Sequence, residues 1–160
     1  MTTWRIRPAE PGDVVELHAL IGELAVYERE PDAVEATAED LAGALFAPEP
    51  RVHAHVAVVE VDGAEVVAGL AIWFVTYSTW RGRHGIWLED LFVRPEHRRL
   101  GLGRALLSTL AAACAGRGYG RLEWSVLDWN ESAHAFYSSL GAAPQDEWTT
   151  WRLHGEALGG

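Results

Sequence analysis

Apolar and polar residues alternate from Trp4 to Arg7, which predicts a first strand, and the period then changes. Pro11, Gly12 and Asp13 open a helix whose apolar face is Val14, Leu17, Ile21 and Leu24, with Tyr27 and Glu28 just past that face. The acidic segment YEREPD reads as a loop broken at Pro31. Thr37 and Asp40 then form an approximate capping box for a second helix ending near Phe46. Val52 to Val61 predicts a strand, Asp62-Gly63 a hairpin turn, and Val66 to Tyr77 the returning strand, so the middle of the chain is antiparallel. Ser78 to Gly85, with Trp80, Arg81, Gly82 and Arg83, reads as a flexible connection to a fourth strand, Ile86 to Val93. A glycine loop and a helix from Arg104 to Ala115 follow, ended by Gly116 and Gly118. Arg121 to Leu127 predicts a fifth strand. Asp128 and Asn130 stand at the cap of a helix from Glu131 to Leu140, which Gly141 stops, and Glu147 to Leu153 predicts a closing strand before a loose GEALGG tail. This order gives an α/β fold, a mixed and largely antiparallel sheet flanked by helices, in one domain spanning 1–160.

Trp87 to Gly103, WLEDLFVRPEHRRLGLG, breaks that pattern chemically. Glu89 and Asp90 are acids in an otherwise apolar strand, where a charge needs a partner or a function. A strict period of two points them to opposite faces. The loop after them suits a backbone cradle for pyrophosphate, because glycines let N–H groups approach and a helix N-terminus favours anions. It lacks the GK[ST] ending of a P-loop, and Leu106 stands where the third glycine of a dinucleotide fingerprint belongs.

Composition narrows the partners. The chain has 160 residues, nearly half of them hydrophobic, which is globular rather than disordered. A formal net charge of −10 opposes nucleic-acid binding and favours small cations, so a phosphate site must be local. Arg94, His97, Arg98, Arg99 and Arg104 form the dense basic cluster. Cys114 is the one cysteine and reads as a buried small hydrophobe, which fits a reducing, cytoplasmic compartment. No apolar run reaches the roughly twenty residues of a membrane helix. Seven histidines offer no HExxH spacing, and His53 with His55 lack a third ligand, so no metal is expected.

The loop also matches the [Q/R]xxGx[G/A] pattern of the GNAT acetyltransferases at Arg98, Gly101 and Gly103. WNESAHAFYSSLGA resembles that family's downstream helix, with Asn130, Phe136, Tyr137 and Gly141 at the matching positions. IRPAEPGD, LIGELAVYE, TYSTWRG and VLDWNESAHAFYSSLGA extend the likeness over most of the chain, and they are similar to the diamine (spermidine/spermine) acetyltransferases and their thialysine-acetylating relatives.

The resemblance implies splayed central strands that form an acetyl-CoA cleft and transfer of an acetyl group to an amine in a ternary complex. It places Tyr137 as the acid that protonates the departing thiolate, and Glu89 as the relay for the substrate proton, through water. Acetyl-CoA would be held by Leu91, Phe92, Val93, Arg98, Arg99, Leu100, Gly101, Leu102, Gly103, Arg104, Asn130 and Tyr137. Tyr27, Glu28, Trp80, Glu89 and Asp90 would take the amine, although Trp80 is equally readable as core. The spermidine/spermine branch carries an acid two residues before this tryptophan. Here that residue is Ser78, which favours a short amine or a lysine-like amino acid. The family also implies a homodimer, often with its C-terminal strand exchanged. The rivals are acetylation of a protein lysine or N-terminus, and a non-catalytic acyl-CoA-binding sensor that would have no use for Tyr137.

Overall fold

The computed structural model describes residues 2–159. The chain divides into two compact units, Met1–Ser125 and Val126–Gly160.

In the first unit, β1 (Trp4–Pro8), β2 (His53–Val61), β3 (Ala64–Ser78), β4 (Arg83–Val93) and β5 (Leu122–Glu123) form one sheet in that order. Pairing is antiparallel from β1 to β4, and β5 runs parallel to β4. The β2–β3 hairpin turns where the dipeptide predicted it. Asp62 (φ 51°) and Gly63 (φ 80°) both take the left-handed conformation that matches strand twist.

The helix α1 (Val14–Tyr27) follows a 3-10 turn at Pro11–Asp13. Asp13 fastens that entry, accepting from Glu10 N–H at 2.7 Å and pairing with both terminal nitrogens of Arg7. The capping box of α2 (Ala38–Leu45) forms as predicted, with Thr37 and Asp40 exchanging bonds of 2.9 and 3.1 Å. Leu17, Leu20 and Leu24 of α1 and Leu45 of α2 bury against Val56, Val58, Leu70, Ile72 and Phe92 on one sheet face. Leu17 and Leu20 are both fully buried on that helix stripe; Ile21, expected there, is only partly covered. The helix α3 (Leu102–Gly116) packs on β2, β3 and β4, burying Leu102, Leu106, Leu107, Leu110 and Cys114. Cys114 is buried as expected.

Three expectations change. Ser78 to Gly85 is no flexible connection: Ser78 pairs with Arg83, Gly82 N–H donates to Ser78 O at 2.8 Å, and Gly82 takes φ 62°, so β3 and β4 form a tight hairpin. The fifth strand pairs over two residues rather than from Arg121 to Leu127. The closing strand Glu147 to Leu153 does not form, and Trp148, Trp151 and Leu153 stand 72%, 92% and 71% exposed. Alternation encodes an extended backbone, whereas a strand also needs a neighbour for its N–H and C=O groups, which alternation does not encode.

In the second unit, α4 (Glu131–Ser139) has Asn130 at its N-cap, accepting from Ala133 N–H at 3.3 Å. Its end is a Schellman motif: Ala142 N–H donates to Tyr137 O, Gly141 N–H donates to Ser138 O, and Gly141 takes φ 89°. A short 3-10 turn, Gly155–Leu158, stands where the tail was expected to be loose.

Candidate active site

The register of β4 determines where its acids go. Leu88 lies opposite Trp73 and Asp90 opposite Ile72, so Glu89 is an extra residue, a β-bulge. Trp87, opposite Phe74, shares the face of Ile72 and donates its indole N–H to Glu89 Oε2 at 3.1 Å. Glu89 and Asp90 therefore project on the same side of the sheet, the side of α1, and the expectation of opposite faces is overturned. The bulge inserts one residue, and a period of two cannot survive an odd insertion.

The same bulge resets the backbone. Ile86 N–H bonds to Arg121 O, away from β3, while Arg94 N–H bonds to Ala68 O, toward it. Counting back from Arg94, the N–H groups of Leu91 and Val93 point away from β3, along the stretch of β4 that β5 does not pair. The β4–β5 ladder ends at Trp87 and Glu123. It also needs Gly85, since a Cβ there would lie 2.7 Å from Arg121 O.

Three carboxylates meet at this bulge. Burial, then the charges of Glu89 and Glu28, push Asp90 up to about 6. Burial likewise raises Glu28, at the C-cap of α1. A cation would relieve this repulsion. Tyr27 closes one side: its ring lies 6.4 Å from that of Phe92, and the Arg98 guanidinium lies 5.2 Å from Tyr27 and 5.5 Å from Phe92. Arg98 Nε donates to Val93 O at 2.9 Å.

Arg94 leaves the basic cluster. Its guanidinium turns back to Glu16 at 2.9 Å, Glu23 at 3.0 Å and Val67 O at 3.0 Å. The sequence groups Arg94 with the basic cluster and does not show its turn to α1, nor does it show the Trp87–Glu89 bond, although an i, i+2 pair on a strand is a recognisable neighbour relation. A 3-10 turn, Pro95–Leu100, carries His97, Arg98 and Arg99 into Gly101. Gly101 (φ 79°) is the N-cap of α3, with no side-chain cap and open space where a Cβ would stand. The first intrahelical bond is Ala105 N–H to Gly101 O, so the N–H groups of Leu102, Gly103 and Arg104 have no partner within the helix. Beside Arg99 and Arg104, this end fits a pyrophosphate.

Trp80 is 89% exposed on the β3–β4 turn, so the core reading of this residue fails. Asn130 and Tyr137 belong to the second unit, where the Phe136 and Tyr137 rings lie 5.4 Å apart. A hollow of about 470 Å³ lies away from the acids, lined by Arg7, Asp13, Glu16, Glu65 and Arg94. Its charges are paired, Arg7 with Asp13, Arg94 with Glu16 and Glu65 with Arg5, so the bulge and strand edge are the better candidates for chemistry. Among the described residues no cluster of three or more His, Cys, Asp or Glu could hold a metal, and no helix is long and apolar enough to cross a membrane.

The sequence matches the Acetyltransferase (GNAT) family over residues 15–142, a span that includes parts of both units. It is 38% identical to a thialysine N-epsilon-acetyltransferase of Bos taurus, over 96% of this chain and 94% of that one. It is 32% identical to an L-ornithine N5-acetyltransferase of Arabidopsis thaliana, over 96% and 86%. Its fold superposes on an integron cassette protein from the mobile metagenome of V. cholerae with a TM-score of 0.77 and 25% identity, covering 98% and 95% of the two chains.

Proposed function

The chain belongs to the GNAT acetyltransferase family and is an N-acetyltransferase, and on that premise we propose that its acceptor is a small cationic primary amine, a lysine-like amino acid ahead of a long polyamine. The observation that carries this reading is the convergence of Glu28, Glu89 and Asp90 at the β4 bulge, where carboxylates that repel one another favour a cation. Similar proteins named for thialysine and ornithine acetylation support the amino-acid side of the choice, as does Ser78 in place of an acid. The reading takes both units as one catalytic domain.

Acetyl-CoA is the co-substrate that the family implies; it supplies the thioester. The amides of Leu102, Gly103 and Arg104 hold the pyrophosphate, and the outward N–H groups of Leu91 and Val93 donate to the acetyl carbonyl and the pantetheine arm. Glu28 and Asp90 hold the acceptor's ammonium, whose ordinary pKa of about 10 requires that a proton leave before attack. Glu89 receives that proton through a water molecule. As the new N–C bond forms and the C–S bond breaks, Tyr137 gives its phenolic proton to sulfur, and the second proton that the nitrogen sheds on becoming an amide passes through solvent to the tyrosinate and restores it. With a tyrosine near 10 and a thiol near 8.5, that transfer is uphill by about 2 kcal/mol, a small step that amide formation offsets.

The test is thiol release from acetyl-CoA with thialysine, lysine, ornithine, putrescine, spermidine, spermine and a lysine-containing peptide, for the wild type and Tyr137→Phe. Turnover should be highest with the amino acids, and the variant should lose about 10²-fold or more in kcat. Preference for the peptide would replace the acceptor assignment, and equal rates in the two proteins would remove Tyr137 as the acid.

A further inference from the structure

Arg98 occupies the first position of the glycine-loop pattern, where a phosphate contact is the expected role, yet its side chain is engaged elsewhere. Its Nε donates to Val93 O, and its guanidinium faces the rings of Tyr27 and Phe92 at 5.2 and 5.5 Å, within cation–π range. These contacts join three elements: the turn after β4, the end of β4 itself, and the last residue of α1. Tyr27 is followed by Glu28, whose charge bears on Asp90. One side chain thus touches the strand edge that would receive the acyl donor and the helix end that would receive the amine.

The bond to Val93 has a specific electrostatic effect. On an unpaired strand edge a residue presents both its N–H and its C=O outward. Arg98 covers the Val93 carbonyl and leaves the Val93 N–H, so this part of the edge faces an incoming carbonyl as a donor. Lysine has no donor at the Nε branch point and no planar face, so it cannot bond that carbonyl and stack on Tyr27 at once.

We propose that Arg98 is a positioning residue, not a phosphate ligand: it clamps the end of β4 to Tyr27 and so sets the donor edge and the amine side together. The inference rests on the acetyl-transfer reading above for its kinetic consequences, while its contacts stand independently of that reading.

The test compares acetyl-CoA with acetyl-pantetheine, which lacks the pyrophosphate and the nucleotide. Binding of each to wild type, Arg98→Met, Arg98→Lys and Tyr27→Leu is measured by calorimetry, and kcat and KM for the best amine are measured alongside, with thermal unfolding as a check that each variant folds. Arg98→Met should weaken both thioesters by the same factor, about three- to tenfold, and raise the amine KM; Arg98→Lys should not restore either. Arg98→Met combined with Tyr27→Leu should be no worse than the poorer single variant, because the two act as one unit. Loss confined to acetyl-CoA, or rescue by lysine, would make Arg98 a phosphate ligand and overturn the clamp. If Arg98→Met does not fold, Tyr27→Leu decides alone, with an unchanged amine KM and unchanged thioester affinity counting against the clamp. Wild type that turns over no amine would undo the acetyl-transfer reading, whereas the ratio of the two thioester affinities would still judge the clamp.

Discussion

Asp90 is the residue on which the electrostatics of this site turn. Its carboxyl is pushed from an ordinary 3.8 up to about 6, chiefly by burial, with Glu89 and Glu28 adding repulsion. A carboxyl raised in the folded state favours folding fully below its unfolded pKa, and that advantage is lost as pH rises toward and through the folded value. Asp90→Asn should therefore unfold at higher urea than wild type at about pH 8, by about 1–3 kcal/mol, with the gap closing below about pH 4. A gap independent of pH would show that Asp90 is not raised. The sequence makes Glu89 and Asp90 stand out, as acids amid apolar neighbours. Their shared side is not legible there, because it depends on where one inserted residue falls in the pairing with β3.

At the scale of elements, Arg94 fixes the end of β4 to α1. Glu16 and Glu23 are two helical turns apart on one face, and Arg94 reaches both while bonding Val67 O beside the β2–β3 bulge. Arg94→Met should leave that carbonyl without its donor and the two glutamates without their cation, costing about 1–3 kcal/mol in urea unfolding. A loss below about 0.3 kcal/mol would class the pairs with ordinary surface ion pairs. Local elements were legible: the Thr37–Asp40 box, the Asp62-Gly63 turn, the Asn130 cap and the Gly141 stop all rest on bonds within a few residues. The short β5 and the absent closing strand were not, since their partners lie outside the segment that the pattern describes.

For the whole molecule, the formal charge of −10 sets a field that draws cations. Raising salt from about 0.05 to 0.5 M should lower kcat/KM for the amine by roughly threefold or more, with a larger drop for spermidine than for a lysine-like acceptor. The same drop for both would mean that steering contributes little. The sequence by itself determined the chemistry-bearing types and the local folding signals: acids in the fourth strand, a glycine-started helix after it, a capped helix bearing Tyr137, and a net negative charge that attracts cations. Those depend on composition and on contacts a few residues long. Only the tertiary structure decided that Glu89 and Asp90 share a side, that Arg94 leaves the basic cluster for Glu16 and Glu23, and that Arg98 lies against Tyr27 and Phe92. Each depends on strand register or on elements far apart in the chain, and neither is written in the spacing of neighbouring residues.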